Sequence, residues 1–199
     1  MTDFLATLST VFLTGVVAIG CASTAHADEK DRILFDFGSE DAVKQWQPVN
    51  DGVMGGVSEG RFRITEQGIM EFFGTLSLEN RGGFASVRSR PAALGLKDGD
   101  ALVARVRGDG REYYFNLLVP TFRIAYSYRA AFQTKAGEWL EVKVPLKDFQ
   151  ATSFGQPVKD AGPVDAGRIS SVGFLLADKT AGPFKLEVDW IKVLESPPE

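Results

Sequence analysis

Cys21 and His26 are the only thiol and the only imidazole in 199 residues, and both stand within the first 27. If that segment is removed, the chain keeps no cysteine nucleophile, no histidine base, no disulfide and none of the usual zinc ligand sets. What remains for hydrolysis is a pair of carboxylates of the glycosidase kind. The carboxylates available for this, Asp51, Glu79 and Asp189, are scattered, and Asp189 lies in an apolar strand pattern. The expectation is a protein that is not an enzyme, with no catalytic residue, metal or cofactor assigned.

Arginine carries the other polar chemistry. Eight of the twelve Arg residues fall between positions 81 and 129, a stretch with nine basic and four acidic residues in a chain of net charge -4. Arginine makes forked contacts to carboxylates and sugar hydroxyls and stacks on rings. The acidic total argues against a nucleic-acid partner, since that binding is driven by phosphate neutralisation. Hydrophobic residues at 44% and charged residues at 24% are ordinary for a globular domain.

The first 27 residues read as an address. No charge occurs from Phe4 to Ala27, Phe4 to Gly20 is largely apolar, and Ala25-His26-Ala27 is a small-x-small site followed by the charged run Asp28 to Arg32. This pattern predicts a secretory signal peptide cleaved after Ala27, although its Met-Thr-Asp start lacks Lys or Arg. Two alternatives are lipidation at Cys21, where Ala18-Ile19-Gly20-Cys21 resembles a lipoprotein box, and retention of an apolar run barely long enough to span a bilayer. All three place the folded domain outside the cytoplasm, in the periplasm or cell envelope. Membrane insertion of the mature chain is not expected. The domain plan is a leader over 1–27, a linker over 28–32, one domain over 33–195 and a tail over 196–199.

The elements that must position the arginines are short apolar runs, rich in β-branched and aromatic residues and broken by turn signals. They predict about ten strands in an all-β, two-sheet sandwich. Ser39 to Trp46 is expected as one short helix. Gly108-Asp109-Gly110 reads as a hairpin turn that pairs Tyr113–Val119 back onto Ala101–Arg107. Loops are expected at Gln47–Gly60, Pro91–Asp100 and Phe149–Gly167, and Phe35 and Trp190 as core residues of the terminal strands.

Alternation within each strand sets the faces. Arg88 shares one with Ser86, Arg105 with Arg107, Asn116 with Tyr114, and Arg129 with Gln133. If the four strands are neighbours, Arg88, Arg105, Tyr114, Asn116, Arg129 and Gln133 form one ligand- or partner-binding face. The plainer alternative is a solvated face with each Arg paired to an acid on the next strand. In the loop before it, Asn50 and Asp51 suit turn chemistry, with a calcium site at Asp51 as a less favoured reading. Arg81 is free to pair with Asp51 or Glu79, or to face a ligand.

The run Asn50 to Ser58 (NDGVMGGVS), then Phe73 to Leu78 (FGTLSL) and Asn80 to Ser86 (NRGGFAS), resembles the complex I intermediate-associated protein 30 family, the mitochondrial complex I assembly factors and their bacterial relatives. Trp46, Tyr128, Phe132, Trp139 and the closing Val188 to Val193 also fit, so the resemblance spans about Ile33 to Leu194. It implies a galactose-binding-like jelly roll, a fold shared with many carbohydrate-binding modules. It also implies assembly or chaperone-like work, and it brings no catalytic residues. The functional expectation is a non-catalytic binding module that engages a protein partner, such as a membrane complex, or a ligand through the Arg-rich face. The alternative is a carbohydrate-binding module, for which Trp46, Tyr114, Trp139, Asn116 and Gln133 would supply rings and planar polar groups.

Overall fold

Short runs that alternate apolar and polar side chains bury one face each, so two such sheets close over a shared core. The computed structural model describes residues 31–120 and 126–196. Its strands are β1 (Asp31–Phe35), β2 (Trp46–Asn50), β3 (Glu59–Ile64), β4 (Met70–Leu76), β5 (Ala85–Ser89), β6 (Ala101–Arg107), β7 (Glu112–Leu118), β8 (Ser127–Gln133), β9 (Trp139–Pro145), β10 (Gln150–Ser153), β11 (Gln156–Pro157), β12 (Ser171–Leu176) and β13 (Gly182–Leu194). All the pairings between these strands are antiparallel. One sheet runs β3-β4-β13-β6-β9, with β1 also on β13, and the other runs β11-β10-β8-β7-β12-β5-β2. The protein is an all-β sandwich of two antiparallel sheets, the jelly-roll class expected from the sequence.

Between the layers lie Met70, Phe72, Val106, Leu186 and Val188 from the six-stranded sheet and Val87, Phe115, Phe174 and Leu176 from the seven-stranded one, all fully buried. Phe115 and Phe174 have ring centroids 4.9 Å apart, as do Phe72 and Phe184. Each such side chain contributes roughly 1.5–3 kcal/mol of burial.

Several local expectations are corrected. The turn at Gly108–Gly110 is no hairpin: β6 pairs with β13 and β9, whereas β7 pairs with β8 and β12 in the other sheet. The chain crosses between layers there and returns between β8 and β9. A bridge between Gly108 and Ala136 ties the two crossings together. Asp109 braces the first by accepting hydrogen bonds from Tyr113 Oη at 3.1 Å and the Lys185 amide at 2.9 Å.

The helix expected over Ser39–Trp46 is one 3-10 turn at Ala42–Gln45. The loop expected from Gln47 to Gly60 begins as β2, and Phe149–Gly167 contains the β10–β11 hairpin that extends the seven-stranded sheet. Strand β1 takes in Asp31 and Arg32, the last two linker residues. The leader, Cys21 and the end of the tail lie outside the described residues. Among the described residues no helix is long and apolar enough to cross a membrane.

Trp190 is a further correction. The register of β13 against β6 shifts between Val188 and Trp190, so Val188, Ile191 and Val193 keep the core side while Trp190 turns outward. There it is half-buried, with Lys192 Nζ 4.6 Å from its ring centroid. Phe35 is partly buried and packs against Trp46 at 5.0 Å. In chemical denaturation followed by circular dichroism, Phe174→Ala is expected to lose about 3–5 kcal/mol of stability. Trp190→Ala is expected to lose only about 1–2 kcal/mol. Equal losses would place Trp190 back in the core.

Candidate binding groove

The segment after β2 and the segment before β5 are joined by one carboxylate. Asp51 is fully buried. Its Oδ1 accepts from the Ser58 amide at 2.9 Å, and its Oδ2 accepts from Ser58 Oγ at 2.6 Å, the Gly83 amide at 2.6 Å and the Phe84 amide at 3.3 Å. Ser58 Oγ in turn accepts from the Ser77 amide at 3.0 Å. The glycines around it are needed for close approach: a Cβ on Gly56 would lie 2.4 Å from the Asp51 carboxyl carbon, and one on Gly82 would lie 2.6 Å from Oδ2. Burial alone would push the Asp51 carboxyl up, but these donors more than offset it and hold the carboxyl below its usual range. Four donors engage the carboxylate, which gives Asp51 the turn chemistry expected of it. Asn50 is likewise structural, its Nδ2 donating to the Gly60 carbonyl at 2.9 Å.

With the flanking segments held in this way, the outward face of the seven-stranded sheet becomes the floor of an open groove of about 790 Å³. One cross-strand row runs through its centre: Gln47 opposite Arg88, Arg88 opposite Gly173, Gly173 opposite Asn116, Asn116 opposite Arg129, and Arg129 opposite Gln150. Gly173 has no alternative, because its Cβ would sit 2.2 Å from the Val87 carbonyl oxygen.

Arg81, Arg88, Arg129 and Lys179 line the groove, and among the described residues no Asp or Glu does. Burial pulls the Arg88 and Arg129 guanidinium groups below the usual arginine range. Arg129 Nε donates only to Ser127 Oγ at 3.3 Å. Asn116 is buried with no hydrogen-bond partner for Oδ1.

The outward face of the six-stranded sheet is the opposite case. Arg63 pairs with Glu71, Lys185 bridges Glu71 at 2.7 Å and Glu187 at 3.2 Å, Arg107 holds Glu187 at 2.5 and 2.9 Å, and Arg105 pairs with Asp189. Arg105 and Arg107 also stack over Trp139, at 4.7 and 4.8 Å from its centroid. The hydrogen bonds from Lys185 and Arg107, respectively, hold the Glu71 and Glu187 carboxyls below their usual range. This face satisfies itself.

The single Arg-rich face inferred from alternation is therefore split. Arg88, Asn116 and Arg129 share the groove, and Tyr114 lies on the same face of β7, its hydroxyl donating to Glu112 at 3.2 Å. Arg105 belongs to the opposite layer. Gln133 is exposed at the end of β8, where its Nε2 donates to the Gly110 carbonyl at 2.7 Å. Arg81 is exposed at the groove edge and pairs with neither Asp51 nor Glu79. Arg123 lies outside the described residues. Of the rings considered for sugar binding, Trp46 is buried in the core and Trp139 lies under the arginines of the other sheet. Sequence reasoning missed Lys179, Phe154, Met54 and Val53, which line the groove from loops that carry no periodic signal.

Asp51 and Asp189 are each engaged by different partners, and among the described residues no three His, Cys, Asp or Glu side chains form a metal-ligating group. The architecture is that of a jelly-roll module. The family 11 carbohydrate-binding module from Clostridium thermocellum, solved with a β-1,3-1,4-mixed-linked tetrasaccharide, matches with a TM-score of 0.65 at 18% identity over 85% of this chain and 98% of that one. The family 11 module of the cellulase Lic26A-Cel5E from the same organism matches with a TM-score of 0.64 at 17% identity, covering 87% and 99%. At such identities the likeness is one of fold.

The sequence model of the complex I intermediate-associated protein 30 family matches residues 35–188, and the chain belongs to that family. The mitochondrial protein of that name from Mus musculus is 30% identical over 85% of this chain and 58% of its own length. That from Drosophila melanogaster is 28% identical over 80% and 61%. The chain thus spans somewhat over half the length of these relatives.

Because the folded Asp51 carboxyl sits below its unfolded pKa, its stabilisation is present above about pH 4 and drains away as pH falls through the folded value. Asp51→Asn, which sets an NH2 group among N–H donors, is expected to lose about 2–3 kcal/mol at neutral pH. It should also show a shallower fall in melting temperature with acid than the parent, measured by calorimetry at several pH values. An unchanged acid slope would remove Asp51 from this role.

Proposed function

We propose that this protein is a non-catalytic binding module that holds a protein partner in the groove of the seven-stranded sheet. The carrying observation is that, among the described residues, four cations and no Asp or Glu line the groove, while the opposite face is neutralised by its own ion pairs. Charges left uncompensated on a shaped surface favour a complementary partner and speed its arrival. The relatives are named for complex I intermediates, so a membrane-protein assembly is the kind of partner this reading favours. The leader read from residues 1–27 puts that partner in the cell envelope.

A second reading, carbohydrate binding, is favoured by the fold shared with a module solved with a tetrasaccharide. The groove's own side chains favour protein over a neutral sugar. Its most exposed ring is Phe154 at the edge, and the two tryptophans considered for sugar stacking lie elsewhere.

A photo-crosslinking phenylalanine analogue placed at Phe154 is expected to give a discrete protein adduct in producing cells, and one at Glu141 on the opposite sheet is expected to give none. The adduct should disappear when Arg88 and Arg129 are both replaced by Ala. Saturable binding of the mixed-linked tetrasaccharide in calorimetry, lost in Arg129→Ala with the fold intact, would instead establish the sugar reading. Turnover of a substrate that survives rigorous purification would defeat both.

A further inference from the structure

Arg88 and Arg129 stand on β5 and β8, with β12 and β7 between them. At ordinary interstrand spacing their backbones are about 14 Å apart. Side chains on one side of an extended peptide recur about every 7 Å, so its first and fifth residues span the same distance. Asn116 lies between the two arginines in the same row, 7% exposed, with Oδ1 unpartnered.

Resting on the protein-binding reading above, we propose that the groove takes an extended acidic segment of the partner. Two carboxylates four residues apart meet Arg88 and Arg129. Planar carboxylates fit the guanidinium fork.

The rim supplies the apolar part of the site. Phe154 is 78% exposed and Val53 74%, with Met54 and Leu78 beside the groove as well. A peptide carries carboxylates, N–H donors and apolar side chains together. A neutral glucan carries no charge for the arginines, and a uronic-acid polymer offers little to aliphatic Val53, Met54 and Leu78.

The backbone points the same way. Arg81, Phe154 and Lys179 all line the groove in the left-handed region, at φ of 61°, 47° and 61°. Bulky residues hold that conformation at a cost that glycine would avoid. Three such positions around one groove retain side chains where glycine would fold more easily, and the side chains themselves are what a ligand would use.

The test is fluorescence anisotropy with the full chain and a short labelled peptide carrying two glutamates four residues apart in a valine, serine and threonine background. Binding should weaken by about tenfold or more when both glutamates become glutamine, and by a similar factor in Arg88→Met and Arg129→Met. It should also weaken when the glutamates are set side by side and when salt is raised. Both arginine variants should keep or raise the parent melting temperature, because each guanidinium is partly buried and, among the described residues, has no ion pair to lose. Phe154→Gly and Lys179→Gly should hold or raise the melting temperature and still weaken the peptide.

The inference is overturned if the glutamine peptide binds equally, if the arginine variants bind unchanged, or if tetragalacturonate binds more tightly than the peptide and displaces it, which would make the occupant an acidic polysaccharide. If no peptide binds while the Phe154 crosslink persists and still needs both arginines, the acidic segment is refuted and the protein-binding reading stands. Loss of both results removes both.

Discussion

A buried carboxylate survives in a protein interior only when donors replace the water it has lost. Asp51 meets that condition with Ser58 on one side and the Gly83 and Phe84 amides on the other. The requirement runs in both directions, because the Ser58, Gly83 and Phe84 amides find their acceptor in this carboxylate. Two segments distant in sequence are thereby held against one another between the sheets' ends. Met54, Leu78, Arg81 and Phe84 take their places at the groove from that junction. The glycine-rich run from Asn50 to Ser58, which first marked the family resemblance, is in this light packing chemistry: Gly56 and Gly82 leave room for a carboxyl group, and the rest of the run turns the chain around it.

The two outward faces use the same residue types to opposite ends. On the six-stranded sheet, Arg63, Glu71, Lys185, Glu187 and Arg107 form a continuous ladder of ion pairs and Arg105 pairs separately with Asp189, so the field outside it is small. Such pairs are partly solvated and contribute modestly to stability. Their larger effect is to make that face a poor place for a charged partner. Arg111, the partly buried arginine of the layer crossing, is likewise occupied, by Asp178 at 2.7 and 2.9 Å and by the Pro183 carbonyl at 3.1 Å. Arg88 and Arg129 in the groove are partly buried and, among the described residues, have no ion pair. Their desolvation without an ion pair is a standing cost to the fold, and a bound acid would relieve it.

Membership of the complex I intermediate-associated protein 30 family and a jelly-roll fold shared with carbohydrate-binding modules bear on different questions. The first concerns descent, and the second concerns a scaffold that hosts many ligands. The seven-stranded face is where they meet. Its floor is built by strand register, which the fold supplies, and its chemistry by side chains and loops particular to this chain.

Much of this was readable in the residues alone. The all-β class followed from short apolar runs between turn signals, and alternation correctly paired Arg88 with Ser86, Asn116 with Tyr114 and Arg105 with Arg107 on their respective strand faces. A period of two says which side chains share a face of one strand, but it does not say which strands are neighbours. For that reason Arg105 was grouped with Arg88 although a whole layer separates them, and Gly108–Gly110 looked like a hairpin although it crosses between sheets. Trp190 was misplaced because a one-residue register shift exchanges inside for outside, and no local pattern announces such a shift. The lack, among the described residues, of acids lining the groove of Arg88 and Arg129, the close approach of the Val87 carbonyl to Gly173 and the enclosure of Asp51 are facts of long-range contact, and only the assembled tertiary structure decides them.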